Sequence, residues 1–390
     1  MALNGIGINW RIGSFYGWGI FGLNLAIELV RKGDIPVALL QEPDSLDIDT
    51  ASRLLLSSRI QDARNLERQL KKNAGAQAKI DAAIIHPATF DFDLFGSPSV
   101  KGSSDVCFIF FENTEFSTAG IKRANSFACV LAGSQWNKDV LQDKGVKDVR
   151  LAHQGVDLSI FHPAPRRNLF SDRFVIYSGG KLEYRKGQDI VVEAFRIFHQ
   201  RHSDSVLFVN WQNMFSDIGV EISHGGIVDV EPRKLGKGKG LDIEKWLADC
   251  GLVPESYVDC GLVANKDLPS LIRESDVALF TSRCEGGTNL SAMESLACGT
   301  PTILSANTGH LDLIADGNCY VLPEQSGCAP TDKFPCTEGW GQSSVEELVE
   351  TLEKAYRDRD KARAIGKKGA ESMISWSWSN QVDNLVLKLG

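Results

Sequence analysis

The first segment that could do chemistry is a glycine-flanked loop that carries three cations. Residues 179–187 read GGKLEYRKG, and Lys181, Arg185 and Lys186 follow a strand-like run. Lys and Arg donors neutralise phosphate oxygens, and the helix that follows adds a favourable dipole. Gly180 gives the backbone freedom to approach a ligand. The segment is typical of a diphosphate site, and a solvated surface loop is the alternative that stays open.

A second segment combines an anion site with two carboxylates. A buried strand ends at Thr281, Glu285 follows on a Gly-Gly-Thr loop, and Asn289 is a good N-cap for a helix. The free amides at 287–290 favour an anion. A carboxylate would repel that anion, so we expect Glu285 to bind sugar hydroxyls and Glu294 a ribose. The alternative is a surface Glu and a helix-face Glu.

A third segment spells G-x-G-x-x-G before a predicted helix. It runs from Gly17 to Gly22, and Glu42 lies about twenty residues further on, as in dinucleotide-binding folds. The residues 11–16 separate these glycines from the preceding strand, however, which disfavours NAD. We prefer a flexible glycine loop whose backbone approaches a ligand, and helix packing is an equal alternative for Gly22.

The elements that must position these segments alternate between strand and helix along the chain. This pattern predicts two doubly wound α/β domains in tandem, with ligands at the carboxyl ends of the strands and a site in the cleft between the domains. A linker composition at 162–172 separates the halves. We predict a first domain over 1–165, a second over 166–374, and a segment 375–390 that crosses back to the first.

Composition excludes several classes of protein. The 390 residues are 43% hydrophobic and 24% charged, with a net charge of −8, which disfavours a nucleic-acid binder. We find no apolar run of membrane-spanning length and no signal-peptide pattern. The nine Cys form no C-x-x-C pair, which favours reduced thiols and a cytoplasmic location. Cys319, Cys328 and Cys336 make too weak a zinc signal to predict a metal.

These motifs resemble retaining GT-B glycosyltransferases of the family 4 type. That family has a GRL…KG loop, then E-G-x-G-L-x-x-x-E-x-x-A-x-G-x-P and G-G-x-x-E-x-I. Lys181 and Lys186 fall on the Arg and Lys of the loop. Other matches, in chain order, are Ser134-Gln135-Trp136, Gly155-Val156-Asp157, Phe161-His162-Pro163, Glu285, Leu290, Glu294, Ala297, Gly299, Pro301, the segment 309–314, and Trp376 or Trp378.

The resemblance implies a retaining, metal-independent transfer of a sugar from a nucleotide-sugar donor to a glycan, lipid-linked or small-molecule acceptor. The donor is a substrate, so no cofactor is expected. Lys181, Lys186 and Glu285 are implied as catalytic residues on the second domain. Donor-binding residues would be Gly180, Arg185, Gly286, Gly287, Thr288, Asn289, Leu290 and Glu294. Acceptor-side residues on the first domain would be Gly17, Gly19, His86 and Glu112. Weak peripheral membrane contact stays compatible with a lipid-linked acceptor.

Three departures from the family pattern affect these expectations. Eight residues separate Glu285 from Glu294 where the family usually has seven, so the register of the intervening amides is open. Lys181 replaces an Arg, which keeps the charge and loses bidentate donation. Many relatives have a His after the strand corresponding to 105–111, where this chain has Glu112. His86, which we place at another strand end, is an alternative, although a lone His there is more often structural.

Rival functions follow from the same residues. An NAD-dependent oxidoreductase would use Gly17–Gly22 and Glu42. A non-catalytic nucleotide-sugar-binding protein would have the same fold, and so would a nucleotide-sugar epimerase. The D-x-D of Asp91-Phe92-Asp93 spells a metal motif of another glycosyltransferase fold, but it lies far from the donor segments in sequence, and we expect a loop or strand edge there.

Overall fold

The computed structural model describes residues 3–73, 75–213, 215–236 and 239–390. The chain divides into two compact units. Unit 1 contains the residues up to Asp157, Ala264–Lys266 and Trp376–Gly390; unit 2 contains Leu158–Val263 and Asp267–Ser375. No helix of the described residues is long and apolar enough to cross a membrane.

Unit 1 is built on a six-stranded parallel sheet covered by helices. Its strands are β1 (Ile6–Ile8), β2 (Val37–Leu39), β3 (Ala78–Ala88), β4 (Val100–Ile109), β5 (Val130–Ala132) and β6 (Val149–Leu151). They lie in the order β2-β1-β3-β4-β5-β6. The helices are α1 (Gly17–Lys32), α2 (Thr50–Lys72), α3 (Thr118–Ala124) and α4 (Gln135–Asp143). Gly33 ends α1, with φ 74 and its N–H bonded to the Leu29 carbonyl.

Unit 2 contains a second six-stranded parallel sheet and an antiparallel ribbon. The sheet strands are β7 (Phe174–Gly179), β8 (Ser205–Asn210), β9 (Tyr257–Asp259), β10 (Val277–Phe280), β11 (Thr302–Ser305) and β12 (Tyr320–Leu322). The ribbon pairs β13 (Gln325–Ser326) with β14 (Gln342–Ser343). The helices are α5 (Gln188–Arg201), α6 (Ser216–Gly219), α7 (Ile243–Asp249), α8 (Leu268–Glu274), α9 (Leu290–Ala297), α10 (Val345–Arg357) and α11 (Arg359–Met373).

Strand order in unit 2 fixes where a ligand can bind. The order is β12-β11-β10-β7-β8-β9, so the chain leaves β7 towards one side of the sheet and returns on the other side at β10. Ile176 of β7 pairs with Val277 of β10. Strands that diverge in this way leave a crevice at their carboxyl ends. The loops that follow β7 and β10 are the two donor segments predicted from the sequence.

The last helix, α12 (Trp378–Leu389), belongs to unit 1. Its apolar face packs into the core of that unit, with the Trp378 ring centroid 5.6 Å from that of Phe21. Hydrogen bonds join Val156 N to the Trp376 carbonyl and Trp378 N to the Val156 carbonyl. The chain therefore contributes to unit 1 from both of its ends.

The first unit ends before the predicted boundary at residue 165. Residues 158–165 cluster with unit 2. Arg273 of α8 donates to the carbonyls of Ile160 and His162 at 2.6 and 2.8 Å, and these bonds tie the segment to unit 2. Pro and Arg composition indicates an irregular segment, but it does not reveal which neighbour holds it.

Candidate functional site

Lys186 and Glu285 meet where the loops after β7 and β10 come together. The Lys186 ammonium lies 2.7 and 2.9 Å from the two Glu285 carboxylate oxygens, and Ser282 Oγ donates to Oε1 at 2.5 Å. Glu285 is 3% exposed. The sequence analysis placed both residues in one site, and the structure brings them into contact.

Glu183 extends this contact into an alternating row of charges. Its carboxylate lies 2.9 Å from the Lys181 ammonium and 2.6 Å from Arg185 Nε, and Arg185 Nη1 lies 3.2 Å from Glu285. The row runs Lys181–Glu183–Arg185–Glu285–Lys186. Three cations and two carboxylates leave one net positive charge, which suits an anionic ligand. Glu183 has no predicted role, although the alternation of charge at 181, 183 and 185 is a visible signal in the sequence.

Backbone hydrogen bonds connect the loops after β7 and β10 next to these charged side chains. The Arg185 carbonyl accepts from the N–H groups of Arg283 and Cys284 at 2.7 and 3.1 Å. The Arg283 guanidinium donates to Asp189 at 2.8 and 2.6 Å and lies 4.4 Å over the Tyr184 ring. This buried pair is not predictable from the sequence, because nothing in the spacing of 189 and 283 indicates a contact between them.

Gly187 permits the close approach of the two loops. Its φ is 66, and a Cβ there would lie 2.1 Å from the Thr281 carbonyl oxygen. The Thr281 hydroxyl donates to the Gly187 carbonyl at 2.7 Å. Only glycine fits both the conformation and the space. The loop after β7 can therefore enter α5 directly against the end of β10.

The protonation states in the site follow from burial and neighbouring charge. Burial alone would raise the pKa of Glu285, but the charges of Lys186 and Arg185 outweigh it and the pKa is lowered. Burial likewise opposes ionisation of Glu183, yet Arg185 and Lys181 lower its pKa to about 2. Burial lowers the pKa of Lys186, partly offset by Glu285. Both carboxylates are ionised near neutral pH and can only accept hydrogen bonds.

The loop from Gly286 to Leu290 leads from Glu285 into α9. Asn289 caps the helix with φ 61, and its Oδ1 accepts from Ala292 N at 3.4 Å. Thr288 Oγ1 lies 3.0 Å from a methionine sulfur. Asn289 occupies the position of a glycine in the family motif, and its side chain tolerates the left-handed conformation. Asn289 thus ends the loop Gly287–Asn289, which the sequence predicts to contain the extra residue.

Glu294 and Gly180 also lie on the predicted donor side of unit 2. Glu294 is 2% exposed on α9, and its charge contributes to raising the pKa of Tyr177, after the larger effect of burial. Gly180 has φ 107 directly after β7. Neither residue is placed against a ribose or a diphosphate by these observations, so both roles remain predictions.

Gly19 and Gly22 are packing glycines, and the segment Gly17–Gly22 does not follow β1 directly as a dinucleotide-binding loop would. Gly17 begins α1, and eight residues separate it from Ile8, where β1 ends. A Cβ on Gly19 would lie 3.0 Å from Gly13, and one on Gly22 would lie 2.5 Å from Trp10 Nε1. Close helix packing thus accounts for Gly19 and Gly22, whereas the position of Gly17 is open, with no atom within 4 Å of such a Cβ in the described chain.

His86 is not at the end of its strand, which corrects the sequence-based placement. Strand β3 continues to Ala88, because the apolar run extends through Pro87. Nδ1 of His86 lies 3.0 Å from Asn9 Nδ2, and Nε2 lies 2.9 Å from Asp105. The buried ring therefore bridges two strands, which fits the structural alternative. Glu112 is half-buried beyond β4, and its acceptor-side role stays a prediction.

Asp91 and Asp93 fix the start of a helix. Asp91 accepts from the N–H and hydroxyl of Ser117, the N-cap of α3, at 2.8 and 2.7 Å. Arg123 pairs with both aspartates. The D-x-D is thus a helix-anchoring turn. Within the described chain, no group of three or more His, Cys, Asp or Glu side chains could hold a metal ion.

A cavity of about 240 Å³ lies at the opposite, amino-terminal edge of the unit 2 sheet, beside Cys298–Pro301. Four cationic side chains line it: Arg166, Arg273, Arg363 and Lys367. Arg166 pairs with Asp276 at 2.8 Å, and Arg273 holds backbone carbonyls. These contacts give Arg166 and Arg273 a structural explanation.

The sequence matches known glycosyltransferases. Residues 229–332 match the family described as glycosyl transferases group 1. The D-inositol 3-phosphate glycosyltransferase of Paenarthrobacter aurescens is 27% identical over 240 residues, 59% of this chain and 48% of that protein. The mannosylfructose-phosphate synthase of Agrobacterium fabrum is 24% identical over 261 residues, 64% and 50%. The matched part spans about half the length of these relatives. The predicted resemblance is confirmed.

The fold matches solved structures over almost the whole chain. Anabaena HepE in complex with UDP and glucose superposes with a TM-score of 0.63 at 15% identity, covering 100% of this chain and 99% of that one. The sucrose-phosphate synthase of Thermosynechococcus elongatus gives 0.64 at 15% identity, covering 98% and 97%. At such identities the likeness shows the fold, and the predicted GT-B architecture of two Rossmann-like units is confirmed.

Proposed function

We propose that this protein transfers a sugar from a nucleotide-sugar donor to an acceptor hydroxyl with retention of anomeric configuration. The observation that carries the proposal is the buried contact of Lys186 with Glu285 at the switch point of the unit 2 sheet. The family match and the UDP complexes of a structural neighbour support it. The acceptor would be a glycan, a lipid-linked molecule or a small molecule.

The charges of the site suit departure of a diphosphate. When the bond between the anomeric carbon and the phosphate oxygen breaks, its electron pair stays on that oxygen. Lys181, Arg185 and Lys186 would stabilise the developing charge, and a field already in place costs no reorganisation. Glu285 would accept hydrogen bonds from sugar hydroxyls, and Glu294 from the ribose. The protein would thus supply the neutralising charge itself, without a resident cofactor or metal.

Retention follows if the acceptor attacks the face from which the diphosphate leaves. The acceptor oxygen then bonds to the anomeric carbon, and its proton passes to the departing phosphate oxygen. This step requires no separate protein base. Gly17, Gly19, His86 and Glu112 stay the acceptor-side candidates on unit 1, although the contacts of Gly19 and His86 are those of structural residues.

Ligand-induced stabilisation tests the proposal directly. Wild-type protein is heated with UDP, GDP, ADP, dTDP or NAD, each in large excess over its dissociation constant, where roughly 2.7 kcal/mol of stabilisation is expected at a hundredfold excess. One nucleoside diphosphate should raise the Tm, and Lys186→Ala should abolish the rise. The control Lys354→Ala removes an exposed cation on α10 and should retain it. A rise with NAD alone would contradict the proposal, and sugar transfer from the matching donor would complete the test.

A further inference from the structure

Asn289 and His310 bond to each other across two loops of unit 2. Asn289 Nδ2 lies 3.0 Å from His310 Nε2. Asn289 is the N-cap of α9, and His310 lies in a short 3-10 helix, Thr308–Asp312. Their exposures are 5% and 0%. Asn289 occupies a glycine position in the motif it resembles, so the side chain that contacts His310 is itself a departure from that motif.

The proton positions in this contact are determined by the neighbouring groups. Ala292 N donates to Asn289 Oδ1, which turns the amide nitrogen towards the ring. His310 Nδ1 lies 3.1 Å from the Ser305 carbonyl, which can only accept, so Nδ1 carries the proton. Nε2 must then accept from Asn289, which requires a neutral imidazole. Burial lowers the pKa of His310 to about 4, although nearby Glu285 opposes the shift.

The same two loops also meet at Glu285. Its N–H donates to Thr308 Oγ1 at 2.8 Å, and its carbonyl accepts from Gly309 N at 3.1 Å. A Cβ on Gly309 would lie 1.7 Å from the Gly287 carbonyl oxygen. The turn 286–288 is thus held at its first end by Glu285 and at its second end by Asn289.

We propose that the Asn289–His310 pair is a latch that fixes the turn 286–288 in the geometry that binds the donor diphosphate. This inference rests on the proposed function. A turn with one residue more than the related motif has more conformations to lose on ordering, and a buried bond at its second end removes that freedom before the ligand arrives. His310 is a positioning residue, since it acts on the ligand through Asn289.

Asn289→Gly removes the side chain that forms the latch and leaves the backbone conformation at residue 289 accessible. Glycine adopts φ 61 without strain and is nearly as good an N-cap as Asn. His310→Ala removes the partner, and His310→Gln keeps an acceptor for the amide. Asn318→Ala is the matched control. Asn318 is a buried Asn that accepts from Ala315 N and donates to the Leu313 carbonyl, away from the turn.

Calorimetric titration with inorganic pyrophosphate and with UDP tests the latch at pH 7.5. We expect roughly tenfold weaker binding for Asn289→Gly and for His310→Ala, the range set by one buried hydrogen bond and its unpaired partner. The double variant should bind no more weakly than either single one, because both remove the same bond. His310→Gln should recover most of the affinity, and Asn318→Ala should bind as wild type does.

The outcomes separate the latch from the proposed function. Wild-type affinity in Asn289→Gly, or additive losses in the double variant, would overturn the latch while leaving the donor site in place. A wild-type protein that binds neither pyrophosphate nor UDP would overturn the proposed function and the latch with it. Loss of affinity in Asn318→Ala equal to that in Asn289→Gly would show a general effect of destabilisation and would also overturn the latch.

Discussion

Arg283 and Asp189 form a two-bond ion pair with no solvent exposure on either side chain. Arg283 also donates to the Tyr184 carbonyl and to Gln342. One guanidinium thereby joins the loop after β7, the start of α5 and the ribbon strand β14. The charges of the candidate site are positioned by a second set of charges beneath them.

Arg283→Met should cost about 3–5 kcal/mol of unfolding free energy, because it leaves Asp189 buried without its partner. Denaturant unfolding followed by circular dichroism measures this. Arg196→Met is the control, since Arg196 pairs with Glu193 on the surface of α5 at 36% and 24% side-chain exposure. That change should cost less than about 1 kcal/mol. Equal costs would contradict the role of burial.

Gly187→Ala should destabilise the protein more than Gly226→Ala does. Both glycines have φ 66, so both substitutions carry the same backbone strain, of about 1–2 kcal/mol. Only Gly187 meets an obstacle, the Thr281 carbonyl oxygen at 2.1 Å, whereas nothing described lies within 4 Å at Gly226. Thermal unfolding of both variants measures the difference. We expect Gly187→Ala also to weaken pyrophosphate binding, and retention of full affinity would argue against the close loop approach.

Glu285→Gln should lower turnover by roughly a hundredfold while retaining the fold. The neutral amide has no negative charge to pair with Lys186, and it accepts hydrogen bonds from sugar hydroxyls less strongly than the carboxylate does. Initial rates with the donor identified by thermal shift measure this. Glu193→Gln, on the surface of α5, should transfer at the wild-type rate. Full activity in Glu285→Gln would remove that residue from the mechanism.

Stability should fall as the pH drops from about 6.5 towards 4, because His310 titrates near 6.5 when unfolded and near 4 when folded. In that window the unfolded state binds the proton and the folded state does not. The loss from this group approaches about 3 kcal/mol at pH 4. His310→Gln should flatten this part of the profile in urea titrations at several pH values. An unchanged slope would contradict the buried neutral imidazole.

Glu183 acts in a more acidic window. Its pKa is about 2 in the fold and near 4.5 unfolded, so its stabilising effect is present above about pH 4.5 and is lost as the pH falls towards 2. Glu183→Gln should therefore lower the free energy of unfolding at pH 7. At pH 3 the free energies of unfolding of the variant and the wild type should lie closer together. A constant difference across this range would contradict the ion pairs with Lys181 and Arg185.

The sequence predicted the alternation of strands and helices, and its resemblance to glycosyltransferases placed the loops after β7 and β10 in one donor site. Parallel strands are continuous apolar runs, and glycines with cations mark the loops at their ends, so these features are local. Contacts between distant positions are not local. The spacing of the residues does not predict that Arg283 contacts Asp189 or that Asn289 contacts His310. Each contact depends on how two separate loops approach each other in the fold.

The same limit explains the error at His86. A polar residue near the end of an apolar run indicated a strand end, whereas β3 continues for two residues beyond it. The partners of the ring are Asn9, which directly follows β1, and Asp105 of β4, the strands on either side of β3. Polar residues inside a sheet become compatible with strand structure only when such partners are present, and a single sequence does not show them.

The position of α12 has a consequence for how the protein is made. Trp378, Val382 and Leu385 belong to the core that also contains Phe21 and Trp10, near the other end of the chain. As the ribosome extends the chain, the strands of unit 1 emerge long before this helix does. The apolar face of unit 1 that α12 covers therefore stays exposed to solvent while unit 2 is synthesised. Exposed apolar faces of this kind bind chaperones and promote aggregation.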